Sequence, residues 1–327
     1  MSRSAPPLDL AAGGPTLAVV GPTLAVVGPT ATGKTALALA LAERYGGEIV
    51  NADALQVYRG LDVGTAKPTA EERARVPHHL LDVVDPTERF SAGEFARRAR
   101  AALAEIHGRG RPALVVGGSG FYLRALFSGL SPLPRADPAL RRELRRRARE
   151  EGPEALHAEL AAIDPEAASR LAAADLQRVV RALEIVRLGG RSWSEQTAAR
   201  PLGHAPLPAV WIGLTLPRTV LYDRIEARVG RMLERGWVAE VERLLARGIE
   251  ANAPAFQAIG YRQLVRHLRG ERSLDRAVVE IVQATRRFAK RQLTWFRKES
   301  QVRWFDAREP ASVFDLLGGG ARADLQS

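Results

Sequence analysis

Gly28-Pro29-Thr30-Ala31-Thr32-Gly33-Lys34-Thr35 is the stretch that decides the fold. It meets the pattern glycine, four residues, Gly-Lys-Thr at every fixed position. The glycines let the backbone curl so that successive N–H groups point inward. The helix that follows turns its positive end the same way, and together these hold phosphate oxygens. Lys34 adds a point charge, and the Thr35 hydroxyl suits Mg²⁺. The pattern predicts a di- or triphosphate ligand and leaves the reaction open. Its surroundings agree with it. Leu24–Val27 is a short apolar, β-branched strand, and Lys34–Tyr45 is helical in composition.

Upstream, the heptapeptide GPTLAVV occurs twice, at Gly14–Val20 and Gly21–Val27. Seven residues are too few for a solenoid unit, so the repeat reads as a local duplication, with Leu17–Val20 a spare copy of the first strand. Residues 1–15 read as a loose tail. Downstream, short apolar strands are expected at Glu48–Asn51 and Ala113–Val116, with helical segments at Ala70–Arg75, Gly93–His107 and Tyr122–Leu126. Strands alternating with helices predict an α/β core with a parallel sheet covered on both faces.

From about residue 132 the texture becomes Arg/Glu-rich and helical. Pro138–Leu160 and Pro165–Arg187 read as helices, and Gly189–Pro208 as loop. Trp211–Leu216 reads as a strand rejoining the core, followed by long helices at Val220–Arg247 and Leu274–Lys298. The expected organisation is a P-loop core over 16–131 and 207–327, with a helical insertion at 132–206.

The 327 residues carry 48 Lys+Arg against 37 Asp+Glu, a formal net charge of +11. Only Lys34, Lys67, Lys290 and Lys298 are lysines, so the excess is arginine. Genomic base composition and a polyanionic partner both explain it. There is no cysteine, which excludes disulfides, thiolate metal sites and cysteine nucleophiles. No apolar run approaches the ~20 residues of a membrane span. The N-terminus lacks the order of a secretion signal, so a cytoplasmic protein is expected.

Asp53 follows the second strand, at the edge where open α/β sheets bind ligands. It suits a general base, a metal ligand or a turn cap. The strand Ala113–Val116 ends in Gly117-Gly118-Ser119-Gly120, without the aspartate that anchors a second metal contact in ATPases, which argues against simple phosphoryl transfer. Arg224 and Arg228 share a helix face at i, i+4. Arg286, Arg287, Lys290, Arg291, Trp295 and Arg297 mix cations with an aromatic, a composition that suits RNA. His78-His79 has no metal-site companions and reads as packing or hydrogen bonding.

Six blocks in order resemble the tRNA dimethylallyltransferase family: Asp53 to Pro68 (DALQVYRGLDVGTAKP), Val76 to Asp82 (VPHHLLD), Gly117 to Tyr122 (GGSGFY), Gln177 to Glu184 (QRVVRALE), Ala258 to Tyr261 (AIGY) and Ala289 to Arg297 (AKRQLTWFR). The resemblance implies transfer of a dimethylallyl group from dimethylallyl diphosphate to N6 of adenosine 37 in the anticodon stem-loop of tRNA, with Mg²⁺; the sequence does not reveal the oligomeric state, and a monomer is assumed. The cradle from Gly28 to Thr35, with Arg224, would hold the diphosphate, and Thr35 the metal. Asp53, Ser119, Lys34 and Arg228 would be catalytic, Asp53 as the base.

The resemblance also implies contacts to tRNA. They fall on Asp53, Ala54, Leu55, Gln56 and Ser119, on Arg141, on Gln177, Arg178, Val179, Val180 and Arg181, on Gln257, Ala258, Ile259, Gly260, Tyr261 and Arg262, and on Lys290, Arg291, Gln292, Trp295 and Arg297. Gln56, Gln177 and Gln257 are candidates to read base edges. Ala54 replaces the family's usual serine and Ser119 its usual threonine. A prenyltransferase acting on free AMP, a small-molecule kinase and a non-catalytic RNA-binding module are the competing readings. The helical insertion and basic C-terminal end favour the large substrate.

Overall fold

The computed structural model describes residues 23–198 and 206–318. The expected tail and the spare copy of the first strand lie outside them. Of the described residues, 128–198 and 206 form one compact unit, and 23–127 with 207–318 form the other. The boundary falls four residues before the expected one.

The larger unit begins β1 (Thr23–Val27), α1 (Lys34–Tyr45), β2 (Glu48–Asn51), α2 (Ala70–Arg75), β3 (His78–His79), α3 (Ala92–Gly108), β4 (Ala113–Val116) and α4 (Gly120–Phe127). The helical unit supplies α5 (Pro138–Glu150), α6 (Pro153–Ile163), α7 (Pro165–Arg170), α8 (Leu176–Gly189) and α9 (Trp193–Ala198). The larger unit resumes with β5 (Val210–Thr215), α10 (Arg218–Glu234), α11 (Trp237–Ala246), a 3₁₀ turn at Pro254–Gln257, α12 (Tyr261–Leu268), α13 (Leu274–Phe296), β6 (Val302–Asp306) and α14 (Ala311–Gly318).

The six strands form one sheet in the order β3-β2-β4-β1-β5-β6, every pair parallel. Parallel strands buried on both faces read as continuous apolar runs. TLAVV in β1 and ALVV in β4 are such runs, buried throughout. Leu24, Leu114 and Ile212 are fully buried and pack with Leu41 of α1. Each contributes about 1.5–3 kcal/mol by burial. Because β2, β4 and β1 are neighbours and parallel, their carboxyl ends open on one edge, and the cradle, Asp53 and Ser119 all lie there.

Local signals set the helix ends. Thr69 and Glu72 form a reciprocal capping box on α2. Asp137 caps α5, which has Pro138 in its first turn. Three expected long helices are each divided. Gly152 (φ 88°) separates α5 from α6, and Gly236 (φ 86°) separates α10 from α11. The third breaks after Arg170, and Asp175 caps the new start.

In the helical unit, Leu144, Leu156, Leu160 and Leu183 form an apolar core. Glu184 is fully buried beneath Arg141 and Arg181, with which it pairs.

Candidate active site

The turn after β1 is possible only for its sequence. Gly28 has φ 134°, and a Cβ there would stand 2.4 Å from the Leu214 carbonyl oxygen. Thr32 Oγ1 donates to the Pro29 carbonyl at 2.8 Å, and Lys34 Nζ donates to the same oxygen at 2.7 Å. Loss of water around the Lys34 ammonium, then the Arg228 guanidinium, push its pKa down to about 7 against the pull of Asp53. Burial, partly offset by Asp53, also lowers the pKa of Arg228. A lysine and an arginine held together under such conditions form a site that an anion completes.

Asp53 sits in a turn that Asn51 organises. Asn51 Oδ1 accepts from the Asp53 N–H at 3.1 Å, and its amide donates to the Leu80 carbonyl. Asp53 Oδ1 accepts from the Leu55 N–H at 2.8 Å, which leaves Oδ2 for a substrate. Ser119 Oγ accepts from the Ala54 N–H at 3.1 Å. That bond runs to the backbone, so alanine at position 54 does not disturb it. Gln292 of α13 bridges the two strand ends: its Oε1 accepts from the Thr30 N–H at 2.9 Å and its Nε2 donates to the Gly118 carbonyl at 3.0 Å.

Two cavities meet at these residues. One, of about 370 Å³, holds Lys34, Thr35 and the cradle backbone. The other, of about 570 Å³, is walled by Leu55, Ile225, Val229, Met232, Trp237 and Ile259. Thr30, Asp53, Gly118, Arg228 and Gln292 line both. Asp53 thus stands where a charged compartment passes into an apolar one.

Deeper support comes from Lys67, whose side chain is fully buried. Its Nζ reaches Asp62 Oδ1 and Asp82 Oδ1 at 2.6 Å each, and the Tyr58 carbonyl at 2.7 Å. Ala66, Leu80 and Asp82 around it all have positive φ, a conformation costly for residues other than glycine.

A family model described as IPP transferase matches residues 56–299. The chain is 52% identical over 276 residues to the tRNA dimethylallyltransferase of Geobacter metallireducens, covering 84% of this chain and 89% of the relative. It is 53% identical over 274 residues to that of Anaeromyxobacter dehalogenans, covering 84% and 91%. Among solved structures, the full-length tRNA isopentenylpyrophosphate transferase of Bacillus halodurans aligns with TM-score 0.67 at 42% identity, over 91% of this chain and 95% of that one. A eukaryotic dimethylallyltransferase acting on tRNA aligns with TM-score 0.72 at 27% identity, over 92% and 77%.

The chain belongs to the IPP transferase family.

Within this IPP transferase, the sequence-expected residues separate into those the site gathers and those it does not. Asp53, Ala54, Leu55, Ser119, Gln257, Ala258, Ile259, Arg291, Gln292 and Trp295 all line the apolar cavity. Trp295 is half-buried rather than a core residue; Arg124 lies 4.4 Å over its ring. Arg224 is exposed and lines neither cavity, so its expected place beside the diphosphate is corrected. Arg235, the residue that caps the C-terminal end of the same helix, lines the charged cavity instead. Gln56 lines the charged cavity too, and its amide donates to the Thr65 and Ala66 carbonyls, which removes it from base reading.

Val179, Val180 and Tyr261 are core residues, so the expectation that their side chains meet RNA is corrected. Gly260 is covered by Trp237. Arg262 lines a separate groove with Arg266, Arg276 and Arg287. Lys290 and Arg297 are exposed outside both cavities. In the helical unit, Gln177 and Arg178 are exposed, while Arg141 and Arg181 are tied to Glu184. Sequence reasoning missed Met232, Trp237 and Arg235, whose only signal was helix periodicity. His79 pairs with Glu48, and His78 Nδ1 lies 2.7 Å from the Val76 carbonyl oxygen, as structural histidines.

Proposed function

We propose that this enzyme transfers a dimethylallyl group from dimethylallyl diphosphate to N6 of the adenosine beside the anticodon of tRNA, and that it works as a cytoplasmic monomer. The carrying observation is the position of Asp53 in the wall shared by the charged and the apolar cavities. The diphosphate lies on the cradle and the five-carbon tail on the apolar side. The allylic C–O bond breaks and its electron pair leaves with diphosphate. The N6 lone pair forms the new N–C bond, and the N6 proton passes to Asp53 Oδ2. A base so placed contributes about 10²–10⁴-fold.

Lys34, Arg228 and the cradle N–H groups bear the charge that grows on the leaving oxygen; one such preorganised donor is worth roughly 2.7–4 kcal/mol. Among the described residues no group of three carboxylates or histidines forms a metal cage. Thr35, in the charged cavity beside the cradle, would hold a Mg²⁺ ion brought with the diphosphate, and a single hydroxyl fits because Mg²⁺ usually takes few protein ligands. Such an ion supplies further neutralisation of the diphosphate. The exposed cations of α8 and α13 serve the tRNA backbone, and extruding the target base costs a few kcal/mol. No helix among the described residues is long and apolar enough to cross a membrane.

Incubation with dimethylallyl diphosphate and unmodified tRNA, followed by mass spectrometry of the nucleosides, tests the proposal. N6-dimethylallyl adenosine in the tRNA is the expected product. Transfer to free AMP alone defeats the assignment of tRNA as acceptor.

A further inference from the structure

Trp237 opens α11 in a way its hydrogen bonding does not explain. Its indole N–H is buried and has no partner, while the ring is only 2% exposed. A phenylalanine would fill a core position without stranding a donor, so something other than core filling asks for the larger ring. The neighbours supply the reason. A Cβ on Gly64 would stand 1.9 Å from Trp237 Nε1, and a Cβ on Gly260 would stand 2.0 Å from its Cζ2 and Cη2. The indole therefore occupies a slot that two glycines leave open, its five-membered ring against Gly64 and its six-membered ring against Gly260.

The slot is braced by one carboxylate, a turn along the same helix. Glu240 Oε2 accepts from the Asp62 and Val63 N–H groups at 2.9 and 2.7 Å. Its Oε1 accepts from the Gly64 N–H at 3.2 Å and from Tyr261 Oη at 2.6 Å. Glu240 is buried, and the two segments it grips carry the two glycines. Tyr261 meets the Trp237 ring edge-to-face at 5.7 Å. The ring also lines the apolar cavity with Met232, Val229, Leu55 and Ala258.

We propose that Trp237 is the specificity-determining wall of this cavity: wedged between Gly64 and Gly260, it ends the space available to the donor's hydrocarbon tail and confines the enzyme to a five-carbon allylic diphosphate, with Glu240 as the positioning residue that keeps the slot closed. The inference rests on the prenyl-transfer reading given above. The chemistry is unchanged by tail length, since the same C–O bond breaks and the same N–C bond forms, so a longer tail is refused by shape alone.

The test compares dimethylallyl and geranyl diphosphate as donors to tRNA. The unmodified protein should use the ten-carbon donor at least a hundred-fold less well in kcat/KM, since a well-shaped wall discriminates about 10–200-fold for a single carbon. Trp237→Phe should raise the geranyl-to-dimethylallyl ratio at least ten-fold. Glu240→Gln, which puts an amide N–H against backbone donors, should raise the same ratio several-fold. A role confined to stability would lower both donors together and leave the ratio unmoved.

Equal use of both donors by the unmodified protein overturns the proposal without any variant, and so covers the case in which Trp237→Phe fails to fold. An unchanged ratio in a folded Trp237→Phe protein overturns it as well. Absence of dimethylallyl transfer by the unmodified protein is a separate result, and it strikes the prenyl-transfer reading itself.

Discussion

At the residue scale, Asp53 and Lys34 carry opposite tasks in one small volume. Asp53→Asn preserves an acceptor for the Leu55 N–H and removes the base. Single-turnover transfer should fall by about 10²–10⁴-fold, while affinity for the donor changes little; a variant retaining full rate would remove Asp53 from the chemistry. Lys34, held near pKa 7 in the ligand-free enzyme, is largely neutral between pH 7 and its ordinary value of 10.5. Bound diphosphate favours the ammonium. Binding at pH 8 should therefore take up a proton through Lys34, and below about pH 6 it should not. Calorimetry in buffers of different ionisation heat reads this directly, with Lys34→Met subtracting the ligand's own protonation. Folding follows the same sign. The unfolded chain binds the Lys34 proton more tightly, so this group's contribution to stability rises from pH 7 to 10.

At the scale of elements, the sequence was legible wherever a local rule acts alone. α1, β2, α2 and β4 lie where they were read, because a glycine, a capping box or a β-branched run fixes each end. Two strands were not visible. β3 has only two residues, His78 and His79, and no period can appear in so short a run; β6 pairs with β5 from far along the chain. Helix breaks at Gly152 and Gly236 went unread because a glycine within a helical pattern has two meanings until its neighbours are placed.

Gly236→Ala should cost about 1–2 kcal/mol from the left-handed backbone alone, since open space surrounds the missing Cβ; urea denaturation measures it. Gln292, expected on RNA, instead ties α13 to the cradle. Gln292→Ala leaves the Thr30 N–H and Gly118 carbonyl without a partner and should destabilise by about 1–3 kcal/mol. The same variant should raise the donor KM, and a donor KM that stays put would separate the helix from the cradle. Asp53, Ser119 and Arg228, singled out by two strand ends and by the family resemblance, come together at one cavity. Arg224 and Tyr261 stay outside it, because packing decides which side of a helix faces the cavity.

At the scale of the whole molecule, a net charge of +11 makes encounter with a polyanion fast and sensitive to salt. The logarithm of tRNA affinity should fall linearly with that of salt concentration. Arg178→Ala and Arg291→Ala should each flatten the slope by about 0.7–0.9, the value of one released phosphate contact; an unaltered slope would take that arginine out of the RNA interface.

The trio of Lys67, Asp62 and Asp82 has a consequence for how this protein can vary through descent. An uncharged residue at 67 takes the buried cation from both carboxylates and leaves Asp82 with Arg73 alone, beside backbone that is already bent the wrong way. Losing either aspartate leaves an ammonium sealed from water with half its neutralisation gone. Intermediates one step from the trio are therefore poor proteins, and the three positions should be exchanged together or kept together.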